Sequence, residues 1–390
     1  MFEEFFHKIK GDKYIWAIVG MLTVFSLLAV YSSTTTLAYR LKGGNTEFYL
    51  FKHLILVMLG IGLMYFFHKM DYRYLSKLSV FLLILAALLL PITLFLGTSL
   101  NQASRWLTLP VLNISFQTSD FAKLALIMYL ARSLSKMQKE PFSFNRFLLE
   151  QILPIVLICG LILPADLSTA TMLFLISVTM LFVGRVRITY LLRLGAFMVI
   201  FLTGAITLIT NHENLGLTKV GRISTWDARL ESFISLEDNV SSNYQVKQAK
   251  IAIATGSVFG NGPGNSGQRD FLPHPYSDFI YAIIIEEYGL VFGAMSILLL
   301  YLWFLHRVIK ILLATPKAFG GLLAVGLGLS ICVQALIHMA VNVSIFPVTG
   351  LPLPLVSMGG TSMWFSAISV GIILSVSRYT IENKLDASTN

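Results

Sequence analysis

The sequence predicts an all-α integral membrane protein with about ten transmembrane helices. Three observations predict it. Only 13% of the 390 residues are charged, roughly half the share of a soluble chain. Hydrophobic residues make up 56%, and the mean hydropathy is +0.75. Apolar runs near the bilayer-crossing length of about 20 residues recur from end to end. These values exclude a disordered chain, a disulfide-stapled secreted scaffold and an ordinary cytosolic enzyme.

The runs lie near 14–33, 48–68, 76–97, 118–134, 148–163, 168–185, 189–210, 278–305, 318–346 and 357–379. No cleavable signal peptide is evident, so the first run, about Tyr14 to Ser32, reads as an uncleaved anchor. The fourth to sixth runs are short, which leaves room for one re-entrant segment. Orientation follows from the Lys and Arg residues. Eighteen of the 29 fall on one side: Lys8, Lys10 and Lys13; Lys69, Arg73 and Lys77; Arg132, Lys136, Lys139 and Arg146; Arg185, Arg187 and Arg193; Arg307, Lys310 and Lys317; Arg378 and Lys384. Six of the other eleven sit in one long loop, where charge counts little. Both termini therefore read as cytoplasmic.

The net charge of +9 is on this account a topology signal. No nucleic-acid-binding motif is visible, and no nucleic-acid partner is expected. Cys159 and Cys332 lie in apolar runs without metal-ligand spacing and read as packing residues. No internal repeat is found, which argues against an inverted-repeat transporter.

The chain reads as a single polytopic membrane domain over 1–390, with one long extracytoplasmic loop at about 211–277 between the seventh and eighth helices. A loop this long in a compact membrane domain is usually functional. Its stretch from Gly256 to Gly267 packs five glycines and a proline into twelve residues and excludes a helix. Backbone amides there could form an anion-holding nest, or the stretch could be a flexible turn. Both readings stay open.

Asp278 stands where Pro273-His274-Pro275-Tyr276-Ser277 ends and an apolar run begins. One reading is a helix cap. The other is a general base acting on a membrane-bound substrate. Glu286 and Glu287 follow two turns later, roughly 12 Å along a helix axis, where a carboxylate needs a partner. Asp120 and Lys123 share an i,i+3 spacing and can pair with each other, or Lys123 can reach Glu286 or Glu287. Arg105-Trp106 is either an interfacial anchor or a grip for phosphate. The uncharged segment from Phe346 to Ser362, with three prolines and three glycines, predicts a rigid, partly buried turn.

At these residues the chain resembles the bacterial SEDS family (shape, elongation, division and sporulation) over nearly its whole length. The most specific stretch is Pro347-Val348-Thr349-Gly350-Leu351-Pro352-Leu353-Pro354-Leu355-Val356-Ser357-Met358-Gly359-Gly360-Thr361-Ser362. Arg105-Trp106 with Phe116 to Lys123, Tyr244-Gln245 with Gln248, Gly260 to Ser266, and Ser277 to Tyr281 with Glu286 to Gly289 match further family motifs in order. The chain looks closer to the division (FtsW) branch than to the elongation (RodA) branch. There are departures. Tyr276 stands where the family has a His, His338 where it has an Asn, and Asp120 where it has a Glu. The piece Pro164-Ala165-Asp166-Leu167-Ser168-Thr169 also differs from the family's pattern.

The resemblance implies an inverting peptidoglycan glycosyltransferase that polymerises lipid II, with Asp278 as the base. It implies a class B penicillin-binding protein as partner, together with other divisome membrane proteins. The acceptor would be a GlcNAc 4-hydroxyl, and the donor a MurNAc carrying undecaprenyl pyrophosphate. Pyrophosphate leaves without a proton once cations meet its charge, so one carboxylate and a cationic clamp suffice. Candidates for the clamp and the substrate contacts are Arg105, Lys123, Gln248, Asn265, Ser266, Ser357, Gly359 and Gly360, with a divalent cation (Mg or Mn) as a further expectation. Asp120, Glu286 and Glu287 are the candidate ion-pair partners. A lipid II flippase, or a scaffold that only activates its partner, are the competing classes.

Overall fold

The computed structural model describes residues 10–35, 37, 45–100, 103–109, 114–138, 143–210 and 241–389. Helices α1 (Lys13–Ser33), α2 (Thr46–Lys69) and α3 (Arg73–Leu96) come first. A small sheet follows, of β1 (Thr98–Leu100), β2 (Ala103–Leu109) and β3 (Ile114–Gln117). Then come α4 (Thr118–Met137), α5 (Phe144–Ile162), α6 (Leu167–Val183), α7 (Ile188–Thr210) and α8 (Ser241–Gly256). Helices α9 (Ile280–Ala314), α10 (Ala318–Asn342) and α11 (Thr361–Thr389) complete the chain.

Each of the ten apolar runs falls on one of these helices. Among the described residues, α1, α2, α3, α5, α9, α10 and α11 are long and apolar enough to cross a membrane. Helix α6 is apolar but only 17 residues long, and Asp120, Lys123, Arg132 and Lys136 dilute α4.

Two elements were not expected. The connection from α3 to α4 is a three-stranded antiparallel sheet in the order β1-β2-β3, with Trp106 paired opposite Gln117. Its alternating Thr, Ile and aromatic residues suit strands. The all-α expectation holds for the helical body and misses this addition. Helix α8 lies inside the segment read as loop. The first part of that loop, 211–240, lies outside the described residues.

The starts of α1, α2 and α6 follow local capping chemistry. The Asp12 carboxylate accepts the amides of Tyr14 (3.0 Å) and Ile15 (3.3 Å), Asn45 accepts Phe48, and Asp166 accepts Thr169. In the interior, 78% of the apolar window of α10 is buried against 22% for α2 and α3, so α10 is central and the other two form the rim. Small residues permit this. A Cβ on Gly326 would stand 2.6 Å from the Met180 sulfur, and one on Gly328 2.6 Å from Val308. Neighbouring helices therefore approach α10 closely.

Helix α11 packs on α2, α3 on α4, α9 on α10, and α8 on the first part of α9. A second, small apolar cluster of Ala249, Ala252, Leu272, Phe279, Ala282 and Ile283 seats α8 and the following loop against the start of α9.

The glycine-rich stretch is not a free turn, and the anion its amides meet is internal: the Gly267 amide donates to the Glu286 carboxylate at 3.1 Å. Helix α9 is interrupted by a π turn at 290–295, entered through Gly289 at φ +77°. The stretch is sewn onto that interruption. The amides of Asn261 and Gly262 donate to the carbonyls of Glu286 and Glu287, each at 2.9 Å. In return the amides of Leu290 and Val291 donate to Ser257 (3.1 Å) and Val258 (3.2 Å). A π turn leaves helix carbonyls without their usual partners, and the loop supplies them. The backbones approach so closely that a Cβ on Gly256 would lie 2.2 Å from the Ile285 carbonyl oxygen.

Candidate active site

Asp278 closes a single tight turn. The amides of Ser277 and Asp278 both donate to the His274 carbonyl at 3.1 Å, and His274 takes a left-handed φ of +58°. The Asp278 carboxylate is partly exposed. Its Oδ1 accepts from the Ser277 hydroxyl at 2.9 Å, and Oδ2 lies 3.8 Å from where a Cβ on Gly350 would stand.

The cap reading of Asp278 is overturned. Helix α9 begins at Ile280, and no side chain from its own N-terminal residue caps it. The Ala282 amide donates instead to Asn342 Oδ1 of α10 at 3.1 Å. Asn342 Nδ2 donates to the carbonyls of Asp278 (3.2 Å) and His338 (2.9 Å). A neighbouring helix thus caps α9 in trans, and the carboxylate of Asp278 is left for other work.

The proline-rich turn after α10 is rigid for a reason visible in its carbonyls. Leu351 meets His338 Nδ1 at 2.7 Å, and Pro352 accepts from Gln334 at 2.9 Å. Pro354 accepts from the Tyr301 hydroxyl, and Val356 from Ser26 at 2.8 Å. Irregular backbone buried this way has its polar groups satisfied by protein. The same turn grips the Asp278 segment, because Met358 N donates to the Tyr276 carbonyl (3.0 Å) and Ser357 Oγ to that of Ser277 (2.8 Å).

The remaining candidates fall into distinct places. Ser357 is buried and accepts from Leu353 N as well, so it joins the turn to the Asp278 segment. Gly359 and Gly360 lie at the end of that turn, with open space beside Gly360. Ser266 is buried and donates to Glu286 at 2.5 Å, whereas Asn265 is exposed and donates to the Asn261 carbonyl. Gln248 is half-buried on α8. Arg105 lies in β2, with its side chain outside the described part; the sheet itself meets the signature turn where Gln117 N donates to Thr361 Oγ1 at 3.3 Å.

Lys123 does not reach Glu286 or Glu287. It donates to Asp120 Oδ1 (3.2 Å) and Gln334 Oε1 (2.8 Å) in a buried pocket. Gln334 and Asn342 lie eight residues apart on α10, about 12 Å along its axis. Lys123 therefore touches α10 two turns away from the residue that holds Asp278. The cavity beside Lys123, also lined by Asp120, Ser330, Gln334, Ser366 and Ser369, measures about 10 Å³. That is room for one water, and Lys123 is engaged there with Asp120 and Gln334.

Glu286 is held by Ser266, Thr255 and the amides of Gly267 and Gln268. Glu287 accepts from Ser32 of α1, to which Arg269 also donates. The two acids thus fasten the 255–269 loop to α9 and α1. The sequence could not show this, because the partners are mainly hydroxyls and amides, and the cation near Glu287 is Arg269 of the loop, which shares Ser32 with it.

Near Asp278, the Tyr276 phenol is pushed above its ordinary pKa by burial, and the charges of Asp278 and Tyr49 act in the same direction. Its hydroxyl lies 3.2 Å from His274 Nδ1. Among the described residues no group of three or more His, Cys, Asp or Glu side chains is placed to hold a metal ion.

Residues 12–382 match the family model described as cell cycle protein, FTSW_RODA_SPOVE. The chain is 34% identical over 379 residues to stage V sporulation protein E of Bacillus subtilis, covering 96% of this chain and 98% of that protein. It is 32% identical over 376 residues to a probable peptidoglycan glycosyltransferase FtsW of Geobacter sp. (strain M18), covering 95% and 98%. Among solved structures, it resembles a chain from a study of how a peptidoglycan synthase complex coordinates polymerization and crosslinking, with a TM-score of 0.72, 23% identity and coverage of 95% and 98%. It also resembles the rod shape determining protein RodA of Thermus thermophilus, with a TM-score of 0.67, 21% identity and coverage of 95% and 98%. At these identities the structural likeness bears on the fold alone.

Proposed function

The chain belongs to the FtsW/RodA/SpoVE family of cell cycle proteins, and from that premise we propose that it is an inverting peptidoglycan glycosyltransferase with Asp278 as its general base. The observation that carries the site assignment is the trans cap: Asn342 takes over the start of α9 and leaves the Asp278 carboxylate partly exposed beside the signature turn. Relatives named as peptidoglycan glycosyltransferases support the reaction class.

The substrate is lipid II. The 4-hydroxyl oxygen of the acceptor GlcNAc attacks the anomeric carbon of the donor MurNAc, and its proton passes to Asp278. As the new C–O bond forms, the bond to the diphosphate breaks, and its electron pair leaves with undecaprenyl diphosphate. Attack opposite an α-linked leaving group gives a β-linkage in one step. Asp278 then returns its proton to water. General base catalysis of this kind contributes roughly 10²–10⁴-fold.

The chain is a multi-pass membrane protein. We place it in the bacterial cytoplasmic membrane with ten crossings, cytoplasmic termini and Asp278 on the extracytoplasmic face, on the strength of the Lys and Arg asymmetry. We assign it to septal wall synthesis, because the curated relatives reported above include FtsW. Its proposed partners are a class B penicillin-binding protein and other divisome membrane proteins, in keeping with the synthase complex among the structural neighbours. A divalent ion as a further requirement is tested by chelation in the same assay. Lys123 and Glu286, buried charges of the kind that would also serve a flippase, are engaged in pairs and hydrogen bonds: Lys123 with Asp120, and Glu286 with Ser266.

The deciding experiment is polymerisation of lipid II by the purified protein with its partner. Glycan strands from the wild type and none from Asp278→Asn support the reading. Translocation of lipid II in vesicles without polymer would replace it with transport.

A further inference from the structure

The proposed reaction needs a group that meets the charge of the departing diphosphate. Lys123 is paired with Asp120 and hydrogen-bonded to Gln334. Arg269 donates to Ser32 and Gly264. A different donor stands at the site. His274 opens the turn that Asp278 closes, the two joined by the Asp278 amide on the His274 carbonyl at 3.1 Å. It is exposed and sits at φ +58°, a conformation uncommon for a non-glycine residue and concentrated at functional sites.

Its ring is also held in place. His274 Nδ1 lies 3.2 Å from the Tyr276 hydroxyl, and the two rings meet edge-on at 6.0 Å and 87°. Tyr276 is itself anchored, half-buried, with its carbonyl accepting Met358 N of the signature turn. A phenol O–H that donates to Nδ1 fixes the tautomer with the proton on Nε2. In that tautomer an N–H donor stands on an exposed, oriented ring at the turn that carries the base.

We infer that His274, held by Tyr276, is a substrate-positioning residue that donates from Nε2 to the diphosphate of the polyprenyl-diphosphate-linked glycan donor. The inference rests on the transferase reading and deepens it. It gives Tyr276 a role as well: its phenol steadies the imidazole from the place where the family carries a His. A donor placed between the diphosphate and the Asp278 carboxylate would also keep two anions from facing each other directly.

The test uses the full-length protein with its partner, with undecaprenyl diphosphate and undecaprenol as probes. His274→Gly suits it because glycine takes the left-handed φ without strain, so a folding defect from the turn is not expected. The variant should keep its Tm, raise the KM for lipid II about tenfold, and bind undecaprenyl diphosphate about tenfold more weakly, the worth of a hydrogen bond to a charged group. Binding of undecaprenol, which lacks the phosphates, should not change. His274→Gln, which keeps an N–H at a similar reach, should recover part of the loss, and Tyr276→Phe should weaken diphosphate binding less than His274→Gly does.

Unchanged diphosphate binding by His274→Gly, or an equal loss for undecaprenol, would overturn the inference. The two readings fail separately. A wild type that makes no polymer sinks the transferase reading whatever His274 does. A wild type that polymerises beside a His274→Gly protein of equal KM sinks only the role of His274.

Discussion

Asn342 and Ala282 are joined across two helices: the Asn342 side-chain oxygen accepts the Ala282 amide at 3.1 Å while its nitrogen donates to the Asp278 carbonyl at 3.2 Å. One side chain therefore satisfies two backbone groups at the entry to α9 and fixes the segment that carries the base. The rest of its face on α10 continues the same work, since His338 and Gln334, one and two turns earlier, hold the carbonyls of Leu351 and Pro352. Through this column the proline-rich turn and the Asp278 turn keep one geometry.

Asn342→Leu keeps the branching and number of side-chain heavy atoms and removes all three hydrogen bonds. It leaves a buried amide and a carbonyl without partners, each worth about 1–3 kcal/mol. A lowered Tm and lost polymerisation are expected together, measured by thermal unfolding in detergent and by lipid II turnover. Asn342→Asp retains the acceptor for Ala282 and should be milder in Tm. Equal Tm for the wild type and Asn342→Leu would show that the trans cap carries no stability.

Lys123 and Asp120 form a buried pair, and removing one partner of such a pair costs about 3–5 kcal/mol. Lys123→Met and Asp120→Asn should each destabilise, and the double variant should cost less than their sum by about 0.5–3 kcal/mol. Lys123→Met combined with Glu286→Gln should be additive, because Glu286 is bound to Ser266 and backbone amides instead. A cycle of thermal unfolding measurements reads this directly. Coupling to Glu286 with none to Asp120 would contradict the arrangement.

The seam between the glycine stretch and α9 makes a sharp contrast among glycines. A Cβ at Gly256, Gly260 or Gly289 would lie 2.2–2.4 Å from a backbone oxygen, whereas nothing stands within 4 Å of one at Gly62. Alanine at any of the first three forces the backbone apart and should cost at least about 1–3 kcal/mol. Gly62→Ala, in the middle of α2, should be neutral or stabilising by up to about 1 kcal/mol. Comparable Tm values across the four variants would mean that the seam is loose.

Much of this was legible in the sequence. Long apolar runs announce helices whatever they pack against, so all ten fall where composition put them. The rigidity of the 346–362 segment follows from prolines and missing charge, and its buried carbonyls bear that out. What could not be read is pairing across the chain. The cap reading of Asp278 stays open in the sequence because nothing local signals that Asn342, 64 residues later, does the capping. For Glu286 and Glu287 the sequence offers Lys123 as one possible partner, with Asp120 as that lysine's alternative, because a sequence scan seeks an opposite charge. Their hydrogen-bond partners are mainly Ser266, Ser32 and backbone amides, which carry no such signal, and the cation beside Glu287 is Arg269 of the loop. The sheet was missed because its strands are only three to seven residues long.

The trans cap turns Asp278 into a clean test of catalysis. A carboxylate that capped α9 would contribute to its stability, and Asn would replace it with little loss, since the two cap about equally well. Here the carboxylate accepts from Ser277 and faces Gly350, while Asn342 serves the helix. Asp278→Asn should therefore leave Tm and partner binding unchanged while polymerisation falls by roughly 10²–10⁴-fold. Asp278→Glu should recover little, because an extra methylene moves the carboxylate off the acceptor hydroxyl, and a 1 Å misplacement can cost about 10²-fold. Asp278→Ala should match Asp278→Asn in activity and also keep its Tm, which separates a base from a cap outright. The measurements are thermal unfolding, co-purification with the partner, and glycan synthesis from lipid II, made on the same preparations. Near-normal synthesis by a well-folded Asp278→Asn protein would remove Asp278 from the reaction, and a large fall in Tm for Asp278→Ala would return it to a structural role.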